Sequence, residues 1–487
     1  MVGVPRSSGC RLCVQRRVKC DQSKPWCQNC ARYGAPCPGY NHGYKFVSNK
    51  HHIRPRQRRG HVVQQPGSKP TSPRPSTPYG RELARSPSPT VAAHGRSRLP
   101  IPLREPRASY INQMLETLHA GLGADELAFL HPWFKGMQQH IGTKVTLDSA
   151  VMSLVLQMLG KRSRDSRLIG ESHFLYGRSL HALQLALNST AEWQTTETLC
   201  TTVLLCHFEM FAGTGDALSW MKHADALGLL IERRGPDAYA NECDLNVFNT
   251  CRTAIIFNCF WSGKDCFFAE PPWERVLRRG DNTQGLTQSE AQRRALVNDY
   301  VVILARLPGI MRRVYPLFQA RSQGFLLPAY AEGLSAMRHT ISDVYQSLIR
   351  WSERLHSNMP PPVEIATSDE TSPWATVLSY ENVWFGALYM GYWTVRLLLQ
   401  LGLELTRNRD ETFEDDRLLL SNVLRSCETV GEGIMGPYRI GFSIRCAYDL
   451  ADPPTRVWIK SKLSRFQETS ASIDANLFVS PDERTAS

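Results

Sequence analysis

The chain has 487 residues, 42% of them hydrophobic and 21% charged, with a formal net charge of +12. That length and composition can bury a large core, which excludes a mini-protein held only by cross-links and a wholly disordered polymer. The charge is uneven: residues 1–110 carry 21 basic and 3 acidic side chains, a net +18, while residues 111–487 carry −6. A basic arm on a slightly acidic body points to a polyanionic partner. The arm is too rich in proline to build the amphipathic face that a membrane surface would need.

Residues 1–9 read as a flexible N-terminus. They contain no apolar run and have a proline at position 5, so no secretory leader is expected. The stretch CRLCVQRRVKCDQSKPWCQNCARYGAPC then places six of the 14 cysteines, Cys10, Cys13, Cys20, Cys27, Cys30 and Cys37, in one C-x2-C-x6-C unit written twice. Such a cluster is either a disulfide framework or a metal site, and the compartment separates the two. Beyond the missing leader, the most apolar run, Val383 to Val395, has 13 residues and is too short to cross a bilayer. The other eight cysteines include no C-x2-C pair and sit in apolar, helix-like surroundings, as buried thiols do. An intracellular chain with reduced thiols is expected, and the cluster is then a metal site. Structural zinc takes four ligands. Six thiolates serve two zinc ions only if two of the sulfurs bridge. The resulting net negative charge is offset by basic residues in the first unit, among them Arg16, Arg17 and Lys19.

With the basic run RRVKCD, the loop proline Pro25 and the closing CPGY (Cys37 to Tyr40), this segment resembles the zinc binuclear cluster (Zn2Cys6) DNA-binding domain of fungal transcription factors. The resemblance implies that Cys10 and Cys27 bridge. One Zn2+ would take Cys10, Cys13, Cys20 and Cys27, and the other Cys10, Cys27, Cys30 and Cys37. It also implies a short helix after the second cysteine whose C-terminal end enters the major groove of double-stranded DNA. Arg17 would stand at the position that reads a CGG triplet, with Arg16 beside it and Arg11 and Lys19 among the further contacts. Arginine replaces the lysine of most relatives, and its planar fork can pair with guanine O6 and N7. Val14 replaces a frequent arginine, which removes a phosphate contact. The function implied is nuclear: a sequence-specific regulator of RNA polymerase II genes.

After this domain (10–40), residues 41–108 read as a disordered basic linker. The stretch 38–108 holds 12 of the 30 prolines, and such a composition cannot bury a core. The linker contains RPRQRRG (Arg54 to Gly60), a basic patch of nuclear-import type, and Ser/Thr-Pro dipeptides at Ser72, Thr77, Ser86 and Ser88. Prolines interrupt every stretch long enough for three heptads, so no coiled coil is expected beside the cluster. A homodimer would have to form through the helical region C-terminal to the linker.

From 109 to 475 the pattern is helical, with a flexible tail at 476–487. Tyr176, Leu180, Leu183 and Leu187 recur at helical spacing. So do Leu199, Val203, Cys206 and Met210, and again Leu296, Tyr300, Ile303 and Leu307. The last of these helices should start at a capping box, Thr287 with Glu290, and stop at Pro308. No convincing strand pattern occurs, so the fold class is a small zinc-stabilised cluster, a disordered linker and a large all-α domain. TLCTTVLLCHFEMF, WMKHADALGLLIERRGP, FFAEPPWERV and DPPTRVWI resemble the helical regulatory domain found downstream of the cluster in many such factors. Such a domain would take a small-molecule or protein effector.

No nucleotide-loop, zinc-protease or serine-hydrolase motif is present, so no catalytic residues are assigned. GTGDAL from Gly213 reads as a loop and His207 as a satisfied helix residue. Trp384, Phe385, Tyr389, Tyr392 and Trp393 read as core, and Asp410 to Asp416 as a solvated loop. An enzyme merely localised by the cluster would show a catalytic motif. A zinc-dependent protein-interaction module would need no basic arm.

Overall fold

The computed structural model describes residues 12–13, 16–21, 27–32, 137, 140–212, 219–279, 287–322, 331–406, 416–433 and 436–467. The expectations for 1–9, the linker 41–108 with its basic patch and Ser/Thr-Pro sites, the loop from Gly213, all of the acidic run except Asp416, and the tail lie outside these residues. The chain divides into two units, Met1–Leu103 and Arg104–Ser487. In the first, Leu12 and Cys13 are helical, residues 16–17 form a turn, and α1 spans Gln28–Arg32.

The second unit is helical. Its elements are α2 (Val145–Ser163), α3 (Ser166–Asn188), α4 (Thr196–Ala212), α5 (Ser219–Arg234), α6 (Glu242–Ser262), α7 (Pro271–Arg278), α8 (Gln288–Ser322) and α9 (Ala331–Asn358). A hairpin of β1 (Val363–Ala366) and β2 (Thr376–Ser379) comes next. Then come α10 (Val383–Leu405), α11 (Asp416–Arg425), α12 (Cys427–Val430), α13 (Gly436–Leu450) and α14 (Pro453–Gln467). Local chemistry fixes many of the starts. Asp165, Asn241 and Asn382 each accept a backbone N–H in the first turn of α3, α6 and α10. The PP pairs begin α7 and α14, where the missing proline N–H has no helical partner to lose. At α14, Asp452 accepts from the Thr455 N–H at 2.9 Å.

Packing obeys the apolar periodicity. Leu199, Val203, Cys206 and Met210 are buried, as are Leu296, Tyr300, Ile303 and Leu307. In the Tyr176 set, Tyr176 and Leu183 are buried, Leu180 is half-buried, and Leu187 at 41% exposure has turned out of the core. The capping box forms: Glu290 accepts the Thr287 N–H at 2.8 Å, and Thr287 Oγ1 accepts the Glu290 N–H at 3.3 Å. The helix it starts does not stop at Pro308, however. It runs through Pro308 and Pro316 to Ser322. A proline inside a helix costs about 3 kcal/mol, yet Leu304, Leu307, Ile310, Met311 and Val314 flank Pro308 on buried faces. Each such side chain contributes about 1.5–3 kcal/mol when buried, so tertiary packing outweighs the local break.

The apolar helix α10 is buried along most of its length and packs on α8, α9, α11 and α13. Tyr389, Tyr392 and Trp393 lie in the core, with Phe385 packed against it from the edge. No helix of the described residues is long and apolar enough to cross a membrane. The hairpin is antiparallel, pairing Val363 with Ser379 and Ala366 with Thr376. Its loop is held from outside: Glu428 accepts from Thr367 Oγ1 and from the Ser368 N–H, and Asp369 pairs with Lys462 of α14.

The Asp369–Lys462 pair generates a pH prediction. Burial alone would raise the Asp369 carboxyl, but Lys462 and Thr371 outweigh it and hold the group well below the usual carboxylate range. A depressed native pKa contributes stability that is fully present above the unfolded value of about 3.9 and is lost as pH falls toward the native one. Asp369→Asn leaves a mostly buried ammonium unpaired and should lower stability at pH 7 by about 2–4 kcal/mol. It should also flatten the loss of stability below about pH 4. Denaturant titrations at pH 7 and at pH 3 check both.

Candidate metal centre and nucleic-acid interface

Four of the six clustered cysteines lie within the described residues. Cys13, Cys27 and Cys30 are fully buried and Cys20 is half-buried against them. The Sγ atoms of Cys13, Cys20 and Cys27 lie within 4.8 Å of one another, the one group of three or more ligand-type side chains so placed among the described residues. Cys13 Sγ is 3.5 Å from Cys27 Sγ and 3.9 Å from Cys30 Sγ. A tetrahedral zinc with Zn–S bonds of about 2.3 Å sets its sulfurs about 3.8 Å apart. A disulfide needs about 2.05 Å. The donor set therefore fits a metal, and these cysteines form no disulfide with one another. Cys10 and Cys37 lie outside the described residues, as does Arg11.

The basic residues sit where the first helical turn ends. Arg16 N–H bonds to the Leu12 carbonyl at 2.9 Å, and Val18 N–H reaches back to the Cys13 carbonyl at 3.0 Å. That second bond spans five residues and closes a helix C-terminus when the residue before its donor is left-handed. The residue in question is Arg17, at φ 55°. Glycine is usual at such a position, because a side chain there costs about 1 kcal/mol or more. Arg164, which ends α2, has the same φ of 55°, so the conformation closes a helix and does not by itself mark a function. Arg16 is half-buried, and Arg17 and Lys19 are exposed.

Two residues that the pattern of cysteines and basic groups did not single out brace this loop. The Asp21 carboxylate accepts the N–H groups of Gln28 at 2.9 Å and Asn29 at 3.2 Å, capping α1. Asn29 Nδ2 donates to the Lys19 carbonyl at 2.5 Å. The segment after the basic turn is thereby tied to the second C-x2-C unit. Cys30 N–H also points at Cys27 Sγ, 3.3 Å away, which stabilises charge on that sulfur. Asp21 was visible within RRVKCD only as part of a motif.

In the helical unit, Cys206, His207 and Glu209 each turn to a separate partner. Cys206 Sγ lies 3.7 Å from the Trp220 carbonyl, and Glu209 accepts from Tyr176. The half-buried His207 bonds back to Val203, and desolvation pushes its pKa down to about 4.

Comparison with known proteins agrees with this geometry. The family described as the fungal Zn(2)-Cys(6) binuclear cluster domain matches residues 8–43, and the fungal specific transcription factor domain matches residues 100–320. A cluster domain of this family binds two zinc ions. Among curated proteins, one of Emericella nidulans described as uncharacterized is 24% identical over 201 residues, 41% of this chain and 43% of the relative. The transcriptional regulatory protein moc3 of Schizosaccharomyces pombe is 36% identical over 59 residues, 12% of each chain. The Zn(2)-C6 fungal-type transcription factor afumD of Aspergillus fumigatus is 57% identical over 30 residues, 6% of this chain and 8% of the relative. The chain thus spans less than half the length of these relatives. No solved structure matches it.

Because metal binding and folding are one equilibrium in a domain of this size, weakening the brace should weaken zinc retention. Asp21→Ala removes a helix cap worth about 1 kcal/mol. It should lower zinc affinity about fivefold in competition with a chromophoric chelator, with the zinc content at saturation unchanged.

Proposed function

We propose that the chain, matched at residues 8–43 and 100–320 by the fungal Zn(2)-Cys(6) cluster and fungal specific transcription factor domains, is a fungal-type Zn(2)-Cys(6) transcription factor: a sequence-specific, double-stranded-DNA-binding regulator of RNA polymerase II genes, acting in the nucleus. The observation that carries the reading is Arg17: exposed, left-handed, and fixed at the end of a helical turn by a sulfur-lined core and the Asp21–Asn29 brace. Bound zinc supplies the cross-link that makes so small a unit rigid. Cys10, Cys13, Cys20 and Cys27 would hold one ion and Cys10, Cys27, Cys30 and Cys37 the other, with Cys10 and Cys27 shared.

In this mechanism Arg17 donates both arms of its guanidinium to guanine O6 and N7 of a CGG-like half-site. Arg16, Arg11 and Lys19 neutralise phosphates beside it. The +18 arm adds a sequence-independent attraction that falls with salt. The helical domain would receive an effector, and any homodimer would form through it.

The test of Arg17 separates its backbone from its side chain. Arg17→Ala should cost about 1–3 kcal/mol of binding and flatten the preference at the triplet. Arg17→Gly should lose the same preference while raising the stability of the cluster, because glycine relieves the left-handed conformation. Selection from random duplexes with each variant reads the preference, and intact preference in Arg17→Ala would place the reading residue elsewhere.

The ligand assignment is tested by metal counting. Wild-type protein should carry two zinc ions per chain. Cys27→Ser should lose both, and Cys13→Ser mainly one. Elemental analysis giving equal losses in the two variants would overturn the shared-ligand assignment.

A further inference from the structure

The eight cysteines of the helical domain do not share one environment. Cys200, Cys206, Cys251, Cys259, Cys266, Cys427 and Cys446 are buried, and Cys243 is the partly exposed one. Several buried thiols donate to backbone carbonyls, Cys251 to Phe248 and Cys427 to Val423. Burial pushes Cys206 and Cys427 up to about 12. Such thiols are inert, while the buried Cys259 is held down by a hydrogen bond with the Cys266 thiol.

Cys243 faces an imidazole instead. Its Sγ lies 3.8 Å from His140 Nε2, and His140 Nδ1 lies 3.0 Å from Glu197 Oε1. Three distant parts of the chain supply the group: the turn before α2, the first turn of α4 and the second residue of α6. A carboxylate only accepts, so Nδ1 keeps its hydrogen, and the Nε2 lone pair is left facing the thiol. This is the arrangement of nucleophile, base and orienting group. Burial would raise the Glu197 carboxyl, but its bond to His140 prevails and lowers it, so it remains an anion able to stabilise an imidazolium.

We propose that Cys243 is a covalent acceptor for small uncharged electrophiles of the α,β-unsaturated carbonyl class, with His140 as its general base and Glu197 as the positioning residue for that base. The thiol is not a standing thiolate. Burial raises it, and Asp244, Glu197 and Glu242 add to the effect, so reaction requires the proton to leave through His140. The Asp244 carboxylate is already engaged by Arg234 at 3.1 Å, Asn241 at 2.6 Å and Thr196 at 3.1 Å, and does not compete for the thiol proton. The surrounding carboxylates disfavour anionic reagents, which selects uncharged ones.

The step balances without a co-reactant. The thiol proton passes to His140 Nε2, the Sγ–Cβ bond forms, and the C=C π pair moves onto the carbonyl as an enolate. His140 then returns the proton to the α-carbon. The proposal is independent of how the cluster reads DNA.

The test uses zinc-loaded full-length protein, substoichiometric N-ethylmaleimide, short reaction times and peptide mass mapping. Cys243 should be labelled about tenfold faster than any other helical-domain cysteine, and His140→Gln should slow it at least about tenfold. Glu197→Gln, whose amide can also donate, should slow it about fivefold, with Glu197→Asp recovering part of the rate. Labelling of Cys243 no faster than Cys259, or a wild-type rate in a folded His140→Gln, overturns the proposal. If His140→Gln does not fold, the wild-type protein decides. Iodoacetamide should be preferred over iodoacetate at Cys243 more strongly than at free glutathione, and an equal preference overturns the proposal.

Discussion

A helix whose first 13 residues carry no charged side chain has to be covered by its neighbours, and the second unit is arranged around that requirement. The 23 residues of α10 read VWFGALYMGYWTVRLLLQLGLEL, and 15 of them are buried. Isolated in water, such a segment would aggregate, so α8, α9, α11 and α13 enclose it. Close approach is possible because small residues recur along it. A Cβ at Gly386 would come within 2.5 Å of Val430 Cγ2, and one at Gly391 within 2.5 Å of Tyr300 Oη. Two of the polar atoms drawn in by this packing are satisfied locally: Trp351 Nε1 donates to the Leu296 carbonyl at 2.8 Å, and Tyr389 Oη to the Met359 carbonyl at 3.3 Å.

The cluster unit solves the opposite problem. Its described residues bury three cysteine sulfurs and little else, far too little apolar surface to offset the entropy of ordering even a short chain. Metal–thiolate bonding takes the place of a core there, which is why Asp21 and Asn29 matter. They make no contact with DNA in the proposed mechanism, yet they transmit the rigidity of the sulfur core to the basic turn. The strain at Arg17 is tolerable only on such a support.

How much the sequence disclosed depends on the range of the forces involved. The cluster was legible because its ligands recur at fixed short spacings and no other chemistry needs them there. The capping box and the proline-led starts of α7 and α14 were legible for a similar reason: each involves residues a few positions apart. Pro308 misled because its local cost was visible while the packing that outweighs it came from other elements. Leu187 fits the apolar period of α3, but among the described residues none buries that end of the stripe. The hairpin left no pattern to read. Its strands are four residues each, and what fixes them is Arg425 donating to the Thr376 carbonyl at 3.0 Å and Thr429 Oγ1 donating to the Leu378 carbonyl at 2.6 Å, from helices about 50 residues on.

Cysteine makes the same point at the level of single atoms, since this chain uses one side chain in three ways. In the cluster, sulfur faces sulfur, Cys13 and Cys27 at 3.5 Å, a spacing that suits a shared cation. In the helical core, Cys251 and Cys427 face carbonyls, and each behaves as a small apolar side chain with a weak donor. At the start of α6 a sulfur faces an imidazole that a carboxylate holds in one tautomer. Nothing in the residue type separates these cases. The first could be read from the sequence because its partners lie within a few turns of chain. The third could not, because 103 residues separate Cys243 from His140 and a further helix supplies Glu197. Chemistry assembled by the fold rather than by a motif becomes visible only when the neighbours of each sulfur are known, and a scan for local catalytic signatures passes over it by construction.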